Sequence, residues 1–233
     1  MNKEEFVQSL KEINIEINEK KLAQLEDYYN LLITENKKYN LTAITEKEQV
    51  YLKHFYDSLT LSKIIELKDE HLCDIGTGAG FPGLVLKIMF PSLKITLIES
   101  NGKKCNFLNI VKEKLGLENV EIINERAEIY SIKNREIYDI VTSRAVAPLK
   151  HLLEYSVPIV KENGYYIAMK SNIENEIENI ENYYKKLDIN LEKKITLNLP
   201  KEGSLRTLIL YKKNKKTNIK YPRKYTEIKK KDI

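Results

Sequence analysis

The sequence of 233 residues has no tryptophan, two cysteines, eight glycines and six prolines. So little glycine and proline excludes a collagenous or low-complexity chain, and 42% hydrophobic against 31% charged residues describes a globular protein that buries a core. At this length the core belongs to one generous domain, or to a domain with an attached subdomain. Cys73 and Cys105 cannot build a disulfide framework and have no CxxC spacing, which points to a reducing cytoplasm. No run of about eighteen uncharged apolar residues exists, so neither a transmembrane helix nor a membrane partner is expected. The opening MNKEEFVQSL lacks an apolar core and does not read as a signal peptide. No metal site is expected.

Arginine is scarce as well, at 5 residues against 34 lysines. A guanidinium is not exchangeable with an ammonium where a planar fork or stacking is needed, so Arg126, Arg144 and Arg223 become candidate functional residues. Charge is unevenly spread. Residues 212–233 carry ten basic and two acidic side chains, a net of +8, which leaves about −3 for the body out of the total of +5. Such a tail suggests a polyanionic partner, although a lysine-rich end can also merely solvate a frayed terminus.

Residues 1–65 read as a helical cap. Asn18 can cap a helix with Leu22, Leu25, Tyr29 and Leu32 on one stripe, and Thr45 with Glu48 forms a capping box opening a helix that carries Val50, His54, Asp57 and Leu61. From His71 onward short apolar runs alternate with amphipathic segments, the pattern of a parallel sheet wound by helices. Strands are predicted at 71–75, 94–99, 119–123, 138–143 and 164–170, with helices near 83–90, 102–115, 147–161 and 173–187. The runs 190–198 and 205–211 have no room between them for a helix and form a hairpin. Residues 66–211 thus make an α/β domain, and 212–233, polar and without periodicity, a loosely ordered tail.

Between the first strand and its helix stands Cys73-Asp74-Ile75-Gly76-Thr77-Gly78-Ala79-Gly80-Phe81-Pro82-Gly83, where open α/β sheets bind ligands. A dinucleotide GxGxxG would require glycine at Phe81, and a Walker loop would end in Gly-Lys-Ser/Thr. What remains, GxGxG after an acidic residue, resembles the S-adenosylmethionine loop of Rossmann-like class I methyltransferases. Glu99 ends the second strand where a carboxylate can accept from ribose hydroxyls, and Arg126-Ala127-Glu128 follows the third strand, where such folds place the adenine.

Taken with Asn40-Leu41-Thr42, Lys53-His54-Phe55-Tyr56-Asp57-Ser58, Ser143-Arg144-Ala145 and the lysine-rich end, the loop makes the whole chain similar to the bacterial 16S rRNA guanine-N7 methyltransferases, also called glucose-inhibited division protein B. The resemblance implies S-adenosyl-L-methionine contacts at Gly76, Phe81, Ala127, Glu128 and Arg144, to which the reading of the loop and the strand end adds Gly78, Gly80 and Glu99. It also implies 16S rRNA or the small ribosomal subunit as partner, with no obligate protein partner. Glu99 stands where the family frequently has aspartate. Tyr221-Pro222-Arg223-Lys224 matches the longer members, and Tyr221, Arg223 and Lys224 are the RNA-contact candidates.

The implied chemistry suits the residues. Guanine N7 carries a lone pair and no proton, so its methylation needs alignment and water exclusion but no general base. After the fourth strand the chain reads Thr142-Ser143-Arg144-Ala145, not the Asp/Asn-Pro-Pro-aromatic turn of amine methylators, and no cysteine sits there for attack on cytosine. Arg144 is the catalytic candidate, for cofactor or for guanine O6. Its alternative is a salt bridge to Asp74 or Glu128. His54 and Asp57 could face the pocket, but a three-residue spacing equally makes a helix-surface pair, and they read as structural. Methylation of another substrate, and a noncatalytic RNA-binding module, are the rival functions.

Overall fold

Leu72, Cys73 and Ile75, and Ile95, Leu97 and Ile98, are apolar on both faces, as strands covered on two sides must be, and they lie side by side at the centre of one sheet. In the computed structural model, which describes residues 1–233 other than 145, 174, 175 and 179, the strands are β1 His71–Ile75, β2 Lys94–Ile98, β3 Val120–Ile123, β4 Tyr138–Arg144, β5 Val160–Lys170, β6 Ile189–Asn198 and β7 Leu205–Lys213. Their order across the sheet is β3-β2-β1-β4-β5-β7-β6. The first five run parallel, and β7 enters antiparallel between β5 and β6. The expected hairpin therefore completes the sheet. The strand order reverses between β1 and β4, so the switch point falls at the glycine loop.

Helices α5 (Gly83–Met89), α6 (Gly102–Lys114) and α8 (Leu149–Ser156) lie where the sequence puts them, although α8 ends early because β5 already begins at Val160. The segment α7 (Ala127–Lys133) is a helix that the apolar pattern does not announce: Ile129 and Ile132 are exposed. Of the helix expected over 173–187, Glu181–Leu187 is helical (α9), while 174, 175 and 179 lie outside the described residues.

The N-terminal helices α1 (Lys3–Glu12) and α2 (Glu19–Tyr39) have no core of their own. Phe6, Leu25, Tyr28 and Leu32 join Leu84, Ile95 and Leu97 in one apolar cluster on one face of the sheet, each fully buried leucine there contributing on the order of 1.5–3 kcal/mol. Asn18 caps α2 as expected, accepting from the Lys21 N–H at 2.9 Å. The next helix is not capped by Thr45. It starts one residue later with the Glu46 carboxylate accepting from the Glu48 and Gln49 N–H groups. It runs as α3 (Lys47–Val50), a π-helical stretch (Tyr51–Tyr56), α4 (Asp57–Leu59) and a final 3₁₀ turn, and buries His54 and Asp57 with Val50 and Leu61.

Residues 212–233 are not a loose tail. Lys213 continues β7, and its buried ammonium, pulled down to about 8 by burial, donates to the carbonyls of Val160 at 2.7 Å and Val157 at 3.1 Å. The Arg135 guanidinium donates to the Tyr221 and Thr217 carbonyls, both at 2.6 Å. Tyr221 and Ile228, from the short helix α10 (Tyr225–Ile228), are buried in the cluster on the other face of the sheet. Low apolar content misleads here because arginine–carbonyl bonds and a few buried side chains do the anchoring.

Candidate active site

The site starts from backbone that only certain residues permit. Gly76 and Gly78 turn at φ +65° and +62°, conformations that a Cβ makes costly. A Cβ on Gly76 would come within 2.7 Å of a Val146 methyl, whereas one on Gly78 would meet nothing within 4 Å and would project into open space. Gly80 is different. A Cβ there would overlap the Tyr28 hydroxyl, which itself donates to the Ala79 carbonyl, and Gly80 lines neither of the cavities described below. The expectation of a cofactor contact at Gly80 is thus corrected: its missing side chain lets α2 pack on the loop.

Asp74 braces the loop from beneath. Its Oδ2 accepts from Thr77 Oγ1 at 2.6 Å and from the Gly83 N–H at 2.8 Å. Burial pushes the carboxyl up to about 7, against the pull of those two hydrogen bonds. Its Oδ1, also buried, has no hydrogen-bond partner among the described residues.

Two cavities open over this edge of the sheet. The first, about 390 Å³, is lined by Gly76, Glu99, Ala127, Glu128, Tyr155 and Tyr225 among others. The second, about 410 Å³, is lined by Thr42, Lys53, His54, Asp57, Phe81, Lys170 and Arg206 among others. Gly76 and Arg144 line both, so the cavities meet there.

In the first cavity Glu99 bends back on the loop: Oε2 accepts from the Gly78 N–H at 3.0 Å and Oε1 from the Asn101 N–H at 2.8 Å. The longer side chain thus reaches the glycine turn and still borders the cavity. Glu128 pairs with Arg126 Nε at 2.6 Å, and the Arg126 guanidinium lies 5.0 Å from the centre of the Tyr225 ring.

The second cavity is built around Asp57. Its Oδ2 accepts from Arg144 Nη1 at 3.1 Å and its Oδ1 from Arg206 Nε at 3.0 Å, with the carboxylate 4% exposed. Arg144 Nη1 also donates to the Lys53 carbonyl at 2.8 Å, and Nη2 lies 3.3 Å from His54 Nδ1. A guanidinium can only donate, so His54 Nδ1 accepts and Nε2 carries the proton, which it gives to Thr42 Oγ1 at 2.9 Å. Burial, with the Arg144 charge adding to it, pulls the His54 imidazole down to about 3, so the ring is neutral. It stacks on Phe81 at 4.4 Å between centroids. Thr42 itself is placed by Asn36, whose Oδ1 accepts from the Leu41 and Thr42 N–H groups after α2 ends on Asn40 at φ +51°. That is how a turn without glycine or proline is held.

Several expectations change against this geometry. Gly78 and Phe81, expected at the cofactor, line the second cavity and not the first. Arg144 is braced by Asp57 and not by Asp74 or Glu128. His54 and Asp57, read as a surface pair, are buried parts of the site. Tyr221, an expected RNA contact, is 4% exposed, and Arg223 is spent on buried Glu154 through Nε at 2.8 Å and Nη2 at 2.7 Å; of the three candidates only Lys224 stands in solvent. Arg206 and Lys170 join the site without a signal in the sequence pattern. The scarcity of arginine that draws attention to Arg144 applies equally to Arg206, but a position on the closing hairpin gives no reason to place it near the glycine loop.

The sequence matches the family described as GidB, rRNA small subunit methyltransferase G, over residues 21–209. The chain belongs to this family. It is 47% identical over 228 residues to the ribosomal RNA small subunit methyltransferase G of Bacillus cytotoxicus, covering 96% of this chain and 95% of that protein. It is 42% identical to the protein of the same name from Lysinibacillus sphaericus, covering 96% of each. In fold it is similar to an S-adenosylmethionine-dependent methyltransferase from Aquifex aeolicus, with a TM-score of 0.53 at 16% identity over 72% of this chain and 93% of that one. Membership makes the chain a methyltransferase that uses S-adenosylmethionine and acts on rRNA. The first cavity fits that cofactor: a carboxylate just past β2, the bare backbone of Gly76, whose Cβ would strike Val146, and the aromatic rings of Tyr155 and Tyr225.

Proposed function

We propose that the protein transfers the methyl group of S-adenosylmethionine to N7 of a guanine in 16S rRNA, with free RNA or the small subunit presenting the base. The observation that carries the reading is the chemistry at the junction of the two cavities: among the described residues, no side chain there is available to take a proton. His54 is neutral with Nδ1 already accepting from Arg144, Asp57 is held between two guanidiniums, and Asp74 is sealed beneath the loop. Cys73 and Cys105 are both buried, which leaves no nucleophile for attack on a pyrimidine ring. An acceptor with a lone pair and no proton is what such a junction suits, and guanine N7 is one.

Bound S-adenosylmethionine supplies an electrophilic methyl on a sulfonium. The chain supplies placement. Gly76 brings the backbone close to the cofactor, Gly78 holds Glu99 through its N–H, Glu99 borders the ribose side, and Ala127 and Glu128 border the far end. Phe81, backed by His54, gives the target cavity an aromatic wall, and Arg144, fixed at three acceptors, presents its remaining N–H groups to the guanine O6 side. The exposed lysines of residues 212–233 bind phosphate. A cytoplasmic location accords with the two free cysteines and with a ribosomal substrate. The test is transfer of labelled methyl from S-adenosylmethionine to isolated small subunits lacking the modification, with large subunits as control. Label in small-subunit RNA alone supports the reading, and equal labelling of both, or of neither, defeats it.

A further inference from the structure

The end of the chain reaches the first cavity. Tyr225 lines it together with Ala127, Glu128 and Tyr155, none of which borders the second cavity, so they belong to the part of the first away from the junction at Gly76 and Arg144. If the reacting methyl lies at the junction, the purine occupies this far end. The Tyr225 ring is held by the Arg126 guanidinium at 5.0 Å and the Lys229 ammonium at 5.4 Å. The segment bearing it is tied down on both sides. Upstream, Arg223 donates to buried Glu154 and Arg135 holds the Tyr221 carbonyl; downstream, Ile228 is buried and Lys150 pairs with Asp232. The family match ends at residue 209, so nothing in it assigns this segment a role.

We propose that residues 221–232 form a strap over the cofactor site and that Tyr225 is its contact residue, an aromatic wall for the adenine. The inference rests on the reading of the first cavity as the S-adenosylmethionine site. An apolar aromatic face excludes water from one side of the purine, and an arginine against the same ring keeps it from folding away. The strap then closes behind bound cofactor. Holding the cofactor and holding the strap become the same equilibrium, so each stabilises the other.

The first experiment is calorimetric titration of the intact protein with S-adenosylmethionine and with 5′-methylthioadenosine, which keeps adenine and ribose but lacks the amino acid. Intact protein that binds neither would refute the site assignment itself, and the strap with it. Given binding, Tyr225→Ala should weaken both ligands about tenfold, the size of a single base-to-aromatic stack, while Tyr225→Phe stays within about twofold. A folded Tyr225→Ala protein with unchanged affinity would overturn the proposal. A second measurement needs no variant. Trypsin cleavage after Lys224 and Lys229 requires the strap to open, so saturating S-adenosylmethionine should slow it at least tenfold in the intact protein. Cleavage there at the same rate with and without ligand would overturn the proposal even if the alanine variant failed to fold.

Discussion

Arg223 separates two accounts of the C-terminal segment. As an RNA contact it would weaken RNA binding when removed and leave stability alone; as a pin it would do the reverse. Glu154 is fully buried, and it accepts from the Arg223 N–H at 2.9 Å, from Nε at 2.8 Å and from Nη2 at 2.7 Å. Arg223→Ala keeps the first of these and removes the guanidinium, leaving a carboxylate without its counter-charge in the core. Breaking one side of a buried pair costs about 3–5 kcal/mol. For a chain of this size each kcal/mol moves the melting midpoint by about 2–4 °C, so a fall of roughly 6–12 °C is expected even at the low end of that cost. Urea unfolding should give the same free-energy change with little change in slope. Adding Glu154→Gln should return much of that stability, because the partner left behind is then neutral. Stability unchanged in Arg223→Ala, with a flatter salt dependence of RNA binding, would refute the pin and restore the RNA role.

Further outcomes follow from the site. Gly78→Val should leave the fold intact but cut S-adenosylmethionine affinity at least tenfold by calorimetry, since valine disfavours the φ +62° backbone whose N–H holds Glu99 at the first cavity, whereas Gly80→Ala should lower the melting midpoint because its Cβ overlaps Tyr28. Arg144→Lys should lower kcat more than tenfold with a smaller change in cofactor affinity, because an ammonium cannot hold Asp57, His54 and the Lys53 carbonyl in one plane. His54 titrates near 3 when folded and near 6.5 when unfolded, so its stabilisation is present above about pH 6.5 and is lost as pH falls towards 3; between pH 7 and pH 5 the wild type should lose about 2 kcal/mol more than His54→Gln in denaturant titrations. Replacing exposed Lys215, Lys220, Lys224 and Lys230 with glutamine should flatten the salt slope of RNA binding by up to about 0.7–0.9 for each phosphate that is no longer neutralised, without moving cofactor affinity.

What the sequence makes legible is mainly what local pattern encodes. The apolar runs at 71–75 and 94–98 and the glycines between Ile75 and Gly83 fix the central strands and the switch point, because continuous apolar strands and positive-φ turns have few other uses. Long-range partners are not legible. Asp57 meets Arg206 across 149 positions and Arg144 across 87, and no local spacing reports such meetings. Val50, His54, Asp57 and Leu61 fall on one helical stripe and all four are buried, but the three-residue spacing of His54 and Asp57 fits a surface pair equally well, and only the distant Arg144 and Arg206 decide between the two. The C-terminal segment misleads for a related reason: apolar periodicity detects a packed helix but not a strand-like segment pinned by Arg135, Glu154 and the carbonyls around Lys213.

The central claim, methylation at an unprotonated ring nitrogen, has a direct chemical test. N7-methylguanine carries a positive ring, which borohydride reduces and aniline then cleaves from the strand. Small subunits lacking the modification would be incubated with the protein and labelled S-adenosylmethionine, and the 16S rRNA reduced, treated with aniline and mapped by primer extension. The expected result is one new strand break at one guanine, in proportion to label incorporated, and absent with Arg144→Ala. Label that enters the RNA without making it cleavable would place the methyl on another atom and contradict the account.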